Sequence, residues 1–174
     1  ETTGIVNNET YPKYTVLTYN FGKRGQWPEM AMHWYDGGKL PAFSLPNGEK
    51  LNKSGAIVVG SELTLYSAHD YGGAYKLLKT GTTEEVPRDS VQFEQKLPKS
   101  PGHFQEFAAA CRGGEPAMSN FDYAGRLTET VLLGNVALRA DGKVEWDAEK
   151  FAAKNLPDGG KQYLQRDYRE GWTL

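Results

Sequence analysis

The stretch from Ser119 to Trp172 constrains the fold of this chain more than any other part of it. Asp122 is predicted to cap a helix, because its carboxylate can accept hydrogen bonds from the free N–H groups of a first helical turn. Apolar residues then recur at helical spacing along one stripe, at Ala124, Leu127, Val131 and Leu138. Asp141 and Gly142 tolerate left-handed backbone and should end the helix. The pattern therefore predicts a long amphipathic helix, followed by a short strand over 143–146.

Alternating segments in the first half of the chain predict antiparallel strands. Residues 13–21 carry β-branched or aromatic side chains on both sides, so they are predicted to form an interior strand, with 30–35 antiparallel to it. Segments 56–59 and 62–66 flank a Gly-Ser pair, which indicates a tight hairpin. Residues 75–78 are a further candidate strand, and 39–54 are expected to form a long surface loop.

A second helix is predicted over 100–114 (SPGHFQEFAAACRGG), with Ser100 as its N-cap. Its buried stripe is expected at Phe104, Phe107, Ala108 and Cys111, and the two glycines should end it. The order of strands, then helices, then a short strand predicts an α+β fold, with a largely antiparallel open sheet and helices packed on one face. Because aromatic residues and methionines lie on the strands, we expect the other sheet face to be covered by a neighbouring subunit or domain.

Composition excludes several classes of function. The 174 residues carry a net charge of −2, which argues against a nucleic-acid partner, since such proteins usually show a basic excess. No apolar run approaches the roughly 18 residues that span a bilayer, so no membrane partner is expected. The single cysteine, Cys111, excludes an internal disulfide framework. The three histidines are far apart in sequence, and no metal-ligand spacing occurs, so no metal site is predicted.

The motifs SNFDYAG, LTE, LLGNVALR, WD and YREGW, read in that order from Ser119 to Trp172, resemble the C-terminal domain of bacterial Gfo/Idh/MocA oxidoreductases, the glucose–fructose oxidoreductase and inositol dehydrogenase family. The likeness extends back through 100–114 and the early LTYNF and MHWYDGG segments, and its final third is the most specific. The resemblance implies an NAD(P)-dependent parent enzyme that acts on a sugar, a cyclitol or a related hydroxyl compound. Residues 1–174 would be its single C-terminal substrate and oligomerisation domain.

The resemblance also implies partners that this sequence does not contain. No G-x-G-x-x-G fingerprint follows a strand here, so NAD or NADP would be bound by an N-terminal Rossmann domain ahead of Glu1, and this chain alone is predicted to be inactive. We accordingly interpret the sequence as a piece of a longer polypeptide. No catalytic, cofactor-binding or metal-binding residue is assigned within it. A homo-oligomer formed through the open sheet face is the expected assembly, in either the bacterial cytoplasm or the periplasm.

Four residues are candidates for binding a small polyhydroxylated substrate. His33 alternates with Met32 and Trp34 along a strand, and an imidazole on the side of a substrate cleft could hydrogen-bond a sugar hydroxyl, although it could also simply pack. Asn120, Asp122 and Tyr123 could either cap the helix or line the cleft with an amide, a carboxylate and a phenol, and the two roles are compatible. The alternative function is a non-catalytic carbohydrate-binding or assembly module.

Overall fold

The structure is a computed structural model that describes residues 9–94 and 96–172. It confirms a mixed α+β fold, with open antiparallel sheets and three helices. The described chain divides into two compact units, one between residues 9 and 97 and one between 98 and 172, and each is described by itself. The predicted packing of helices on a sheet face stays a prediction.

The first unit begins with a two-stranded antiparallel hairpin. Strand β1 (Val16–Phe21) pairs with β2 (Met30–Tyr35), in a register that places Val16 opposite Tyr35 and Phe21 opposite Met30. The predicted antiparallel pairing is therefore confirmed. Among the described strands β1 pairs with β2 alone, and the predicted interior position of β1 in a sheet stays a prediction.

Four further strands form an antiparallel sheet in the order β3-β4-β5-β6. They are β3 (Ala56–Val59), β4 (Leu63–Ser67), β5 (Tyr75–Lys79) and β6 (Glu85–Val86). The predicted hairpin at Gly60-Ser61 is confirmed, since the Gly60 N–H donates to the Leu63 carbonyl at 3.0 Å. Strand β6 was not predicted from the sequence, because two residues carry too little alternation to be recognised.

The core of the first unit lies on one face of this sheet. Leu45, Tyr66 and Leu78 are buried together, and partly buried apolar residues pack against them at Phe43, Leu51, Ile57 and Ala68. The segment 39–54, expected to be a surface loop, therefore places part of its length on the sheet. A 3₁₀ turn at Pro46–Gly48 follows the buried Leu45 and returns the chain to the surface.

The second unit contains the helices α1 (His103–Cys111), α2 (Phe121–Arg139) and α3 (Lys161–Leu164). A small hairpin of β7 (Trp146–Asp147) and β8 (Ala152–Ala153) lies between α2 and α3 in the chain. The predicted C-terminal ends of α1 and α2 are confirmed, whereas the predicted N-cap of α1 is wrong, because Gly102 and not Ser100 precedes its first residue. Gly113 (φ 82°) follows α1 and Asp141 (φ 50°) follows α2 in left-handed conformation. In each case the next residue donates back to the third-from-last helical residue, from Gly114 to Ala109 at 3.0 Å and from Gly142 to Ala137 at 3.2 Å.

The predicted burial of the α1 stripe is wrong at three of its four positions. Phe104 is 86% exposed and Phe107 is 68% exposed, and Cys111 is exposed as well, so α1 buries none of its residues. In α2 the stripe is exposed at Leu127 and Val131. Helical spacing identifies which face of a helix is apolar. It does not identify the surface that covers that face.

Candidate functional site

His33 lies at the middle of β2, on the polar face of the hairpin. Its cross-strand partner is Thr18, and the Thr18 hydroxyl oxygen lies 3.1 Å from His33 Nδ1. Asn20 lies two residues further along β1 on the same face. All three side chains are exposed. An imidazole, a hydroxyl and an amide beside one another can donate to and accept from the hydroxyl groups of a sugar or cyclitol.

The opposite face of the same hairpin is apolar. Three directly opposed pairs cover it, and we call these six residues the apolar hairpin face: Leu17 with Trp34, Tyr19 with Met32, and Phe21 with Met30. Met30 and Trp34 are each nearly half exposed. The two-residue period of the hairpin therefore places Thr18, Asn20 and His33, together with Val16, Ala31 and Tyr35, on the face opposite the apolar hairpin face.

Asp36 fixes the end of the hairpin next to His33. Its Oδ1 accepts from the Thr15 N–H at 2.5 Å, and its Oδ2 accepts from the Thr15 hydroxyl at 2.5 Å and from Trp34 Nε1 at 3.2 Å. Thr15 is buried. An ionised carboxylate only accepts hydrogen bonds, so Asp36 can accept from all three donors. The N–H and hydroxyl groups of the buried Thr15 are thereby both paired. Strand β2 is thereby held in register, and with it His33.

The second group of candidates lies at the start of α2, and the structure corrects the predicted cap. Asn120, not Asp122, is the N-cap: Asn120 Oδ1 accepts from the Tyr123 N–H at 3.2 Å, and Asn120 Nδ2 donates to the Ala117 carbonyl at 3.0 Å. The helix begins at Phe121, so Asn120 directly precedes it. An N-cap oxygen reaches the N–H two or three residues onward, which for Asn120 is the free N–H of Tyr123. Asp122 lies in the first helical turn, where its charge is complementary to the helix dipole.

This arrangement divides the three residues by role. Both ends of the Asn120 amide are engaged in capping, so Asn120 positions its neighbours. The Asp122 and Tyr123 side chains are exposed, and Tyr123 is 61% accessible. A carboxylate and a phenol on one helical turn offer an acceptor and a donor to a hydroxylated ligand. His33 belongs to the first unit and these three residues belong to the second.

Arg126 and Glu129 are three positions apart on α2, a spacing at which helical side chains can pair. The structure gives Glu129 a different partner, because Trp146 Nε1 donates to Glu129 Oε1 at 2.6 Å. The Trp146 ring meets the Phe151 ring edge-on, with centroids 5.1 Å apart. Glu129 and Trp146 thus join α2 to β7. Both residues lie within the LTE and WD motifs, so the motifs marked them, although spacing alone did not pair them.

Within the described part of the chain, no group of three or more histidine, cysteine, aspartate or glutamate side chains is placed to hold a metal ion. No described helix combines the length and the apolar character needed to cross a membrane.

Comparisons of the chain with protein-family models, with curated proteins and with solved structures found no match. The proposals that follow therefore depend on the residues, their contacts and the sequence resemblance described above.

Proposed function

We propose that this chain is the C-terminal substrate-binding and assembly domain of an NAD(P)-dependent oxidoreductase of the Gfo/Idh/MocA type. The substrate would be a sugar, a cyclitol or a related hydroxyl compound. The observation that carries the proposal is the two-faced hairpin of β1 and β2, with Thr18 and His33 on one face and the apolar hairpin face on the other. One face suits a polyol and the other suits a protein surface.

We propose that this domain binds the hydroxyl substrate and orients it. His33 with Thr18 in the first unit, and Asp122 with Tyr123 in the second, each provide donors and acceptors for the hydroxyl groups of a ligand. The nicotinamide of the parent enzyme would supply the hydride acceptor. Residues of this chain would hold the carbinol in place and keep water away from it, since a closed site strengthens every polar contact within it.

The apolar hairpin face is proposed to be the assembly surface. A hairpin of two strands is at best marginally stable in water unless it has further packing, so its apolar side chains favour a covering surface. We propose that a second copy of the chain covers this face. Charge placed there should oppose association, because an unpaired carboxylate would be buried.

Sedimentation equilibrium of the chain tests the assembly proposal. We expect Met30→Glu to weaken self-association at least about 100-fold. The matched control is Asn20→Glu, which adds the same charge to the exposed polar face of the same hairpin and should leave association unchanged. A chain that stays monomeric at every concentration would contradict the proposed assembly.

Two measurements test the enzymatic part. Titration calorimetry of this chain with NAD and NADP should show no binding, and micromolar affinity for either would contradict the proposal. The coding sequence ahead of Glu1 should encode a strand, a G-x-G-x-x-G turn and a helix. An unrelated domain in that place would favour the alternative, a non-catalytic carbohydrate-binding or assembly module.

In the protein translated from the complete reading frame, His33→Ala should raise KM for the hydroxyl substrate about 10-fold, because it removes one or two hydrogen bonds to the ligand. His103→Ala is the matched control, since His103 is an exposed histidine at the start of α1. Equal effects of the two substitutions would remove His33 from the site.

A further inference from the structure

A second candidate site lies within the first unit, on the covered face of the four-stranded sheet. A cleft of about 450 Å³ opens between the segment Glu49–Asn52, strands β4 and β5, and Arg88. Leu45 and Tyr66, both buried, line it together with Ala68. Its volume falls within the range of roughly 300–1,000 Å³ that is typical of small-molecule sites.

The Tyr66 hydroxyl is the buried polar group of this cleft. Tyr66 is only 6% exposed, and its oxygen accepts from the Asn52 N–H at 3.0 Å. No described residue accepts the phenolic proton. Because a buried hydroxyl usually both donates and accepts, Tyr66 has one hydrogen bond left to give to a molecule in the cleft.

The charged residues that line the cleft are mainly cations, with Lys50, Lys76 and Arg88 against one carboxylate, Glu49. Lys76 Nζ donates to both Glu49 oxygens, at 2.6 and 2.8 Å, and lies 3.9 Å from a Glu85 oxygen. The hydrogen bond that Lys76 donates to Glu49 raises the pKa of Lys76, which favours its charged form. These carboxylates already compensate Lys76, which leaves the excess positive charge on Lys50 and Arg88.

Arg88 is held in place at the cleft wall. Its Nη2 donates to the Tyr75 carbonyl, and its guanidinium lies over the Tyr75 ring at 4.3 Å from the centroid. A guanidinium carries five N–H donors in a planar fork, so donors remain for a ligand after Tyr75 has accepted one. Lys50 is exposed and has no hydrogen-bond or ion-pair partner among the described residues.

We propose that this cleft binds a small organic anion that carries hydroxyl groups, with its carboxylate or phosphate against Arg88 and Lys50. The hydroxyl-bearing body would lie over Leu45 and Ala68 and accept the Tyr66 proton. Paired N–H donors of arginine match the two oxygens of a carboxylate or phosphate. The inference does not depend on the function proposed above, because none of its residues belongs to the β1–β2 hairpin or to α2.

Titration calorimetry of the chain at low salt tests the proposal with four probes. Glucuronate represents the carboxylate source and glycerol phosphate the phosphate source. Glucose is the control without charge, and inorganic phosphate is the control without an organic body. We expect at least one organic anion to bind more tightly than both controls. Affinity should fall as salt is added, because the charges at the rim are screened.

Three variants locate the binding. Arg88→Gln should weaken it about 10-fold or more and Lys50→Gln about 3-fold, since both remove charge-assisted hydrogen bonds or charge. Lys53→Gln removes a nearby lysine that does not line the cleft and should change nothing. If thermal melting shows that Arg88→Gln is unfolded, Lys50→Gln decides the question, because Lys50 makes no contact that folding needs.

Binding of glucuronate alone, or of glycerol phosphate alone, supports the proposal and identifies the anionic group. Equal affinity for glucose, equal affinity for inorganic phosphate, equal weakening by Lys53→Gln and Lys50→Gln, or no heat with any probe would each overturn it.

Discussion

The sheet of the first unit and the helices of the second are held by different kinds of contact. The sheet has a buried cluster at Leu45, Tyr66 and Leu78. Helix α1 buries no residue, and α2 buries only Gly134 and Val136. The helices are instead held by hydrogen bonds at their ends, such as the Asn120 cap and the turns after α1 and α2, and by side-chain bonds such as the one from Trp146 to Glu129. A sheet face is filled once a loop such as 43–51 lies on it, whereas an amphipathic helix needs a second body to cover its stripe.

The largest test of this comparison is a pair of leucine truncations. Leu78 is fully buried, so Leu78→Ala should reduce the free energy of unfolding by about 2–5 kcal/mol through lost burial and a residual cavity. Leu127 lies in the exposed stripe of α2, and Leu127→Ala should cost less than about 1 kcal/mol. Denaturant unfolding measures both values. Equal losses would show that the helices are held by packing as firmly as the sheet.

A second test concerns the turn that follows β2, at the open end of the β1–β2 hairpin. A Cβ on Gly37 would lie 2.0 Å from the Lys13 carbonyl oxygen, whereas a Cβ on Gly38 would meet nothing within 4 Å. Both glycines have positive φ, so alanine costs about 1–2 kcal/mol at either. Gly37→Ala should cost about 1–3 kcal/mol more, from the steric clash. Thermal melting that ranks Gly38→Ala as the more harmful change would show that the hairpin end is built differently.

The elements that the sequence predicts correctly depend on near neighbours. Alternation and the Gly60-Ser61 pair predicted the hairpins, and the residues after Cys111 and Arg139 predicted both helix ends. The Gly60 turn and the two helix ends depend on contacts between residues three to five positions apart, and alternation is a local pattern of each strand. The α+β class followed from the order of such elements.

The features that sequence reasoning missed depend on distant residues or on missing partners. The cleft brings Glu49 to Lys76, 27 positions away, and Arg88 to Tyr75, 13 positions away, and no local pattern records these distances. The N-cap was misplaced because Asn120 and Asp122 are both good capping residues and lie two positions apart. Residue type alone does not show which of them caps the helix. His33 was placed correctly on a strand, but its hydrogen bond to Thr18 required the register.

The corrected cap on α2 gives a smaller prediction. Asn120→Ala should lower the free energy of unfolding by about 1 kcal/mol, because the Tyr123 N–H loses its acceptor. Asn120→Asp keeps an acceptor and should be close to neutral. Asp122→Ala should cost only about 0.3–1 kcal/mol, from the lost interaction with the helix dipole. Circular dichroism during denaturation measures all three, and a larger loss for Asp122→Ala than for Asn120→Ala would restore Asp122 as the cap.

The smallest effect expected is on the ionisation of Glu106, which joins α1 to the segment before α2. The Ser100 hydroxyl donates to Glu106, the Met118 N–H donates to it at 2.9 Å, and together they lower the pKa of Glu106 below its ordinary value. Folding therefore favours the charged form. Its contribution to stability is present above the ordinary glutamate pKa and is lost as the pH falls through the lower folded-state pKa. Ser100→Ala should raise the pKa of Glu106 back towards the ordinary value in a carboxyl NMR titration, and Ser119→Ala, the matched control, should not. An unchanged pKa in Ser100→Ala would mean that the hydrogen bond from Ser100 to Glu106 contributes little to holding α1. The difference between the sheet, held by packing, and the helices, held by hydrogen bonds at their ends, would then be greater than these bonds indicate.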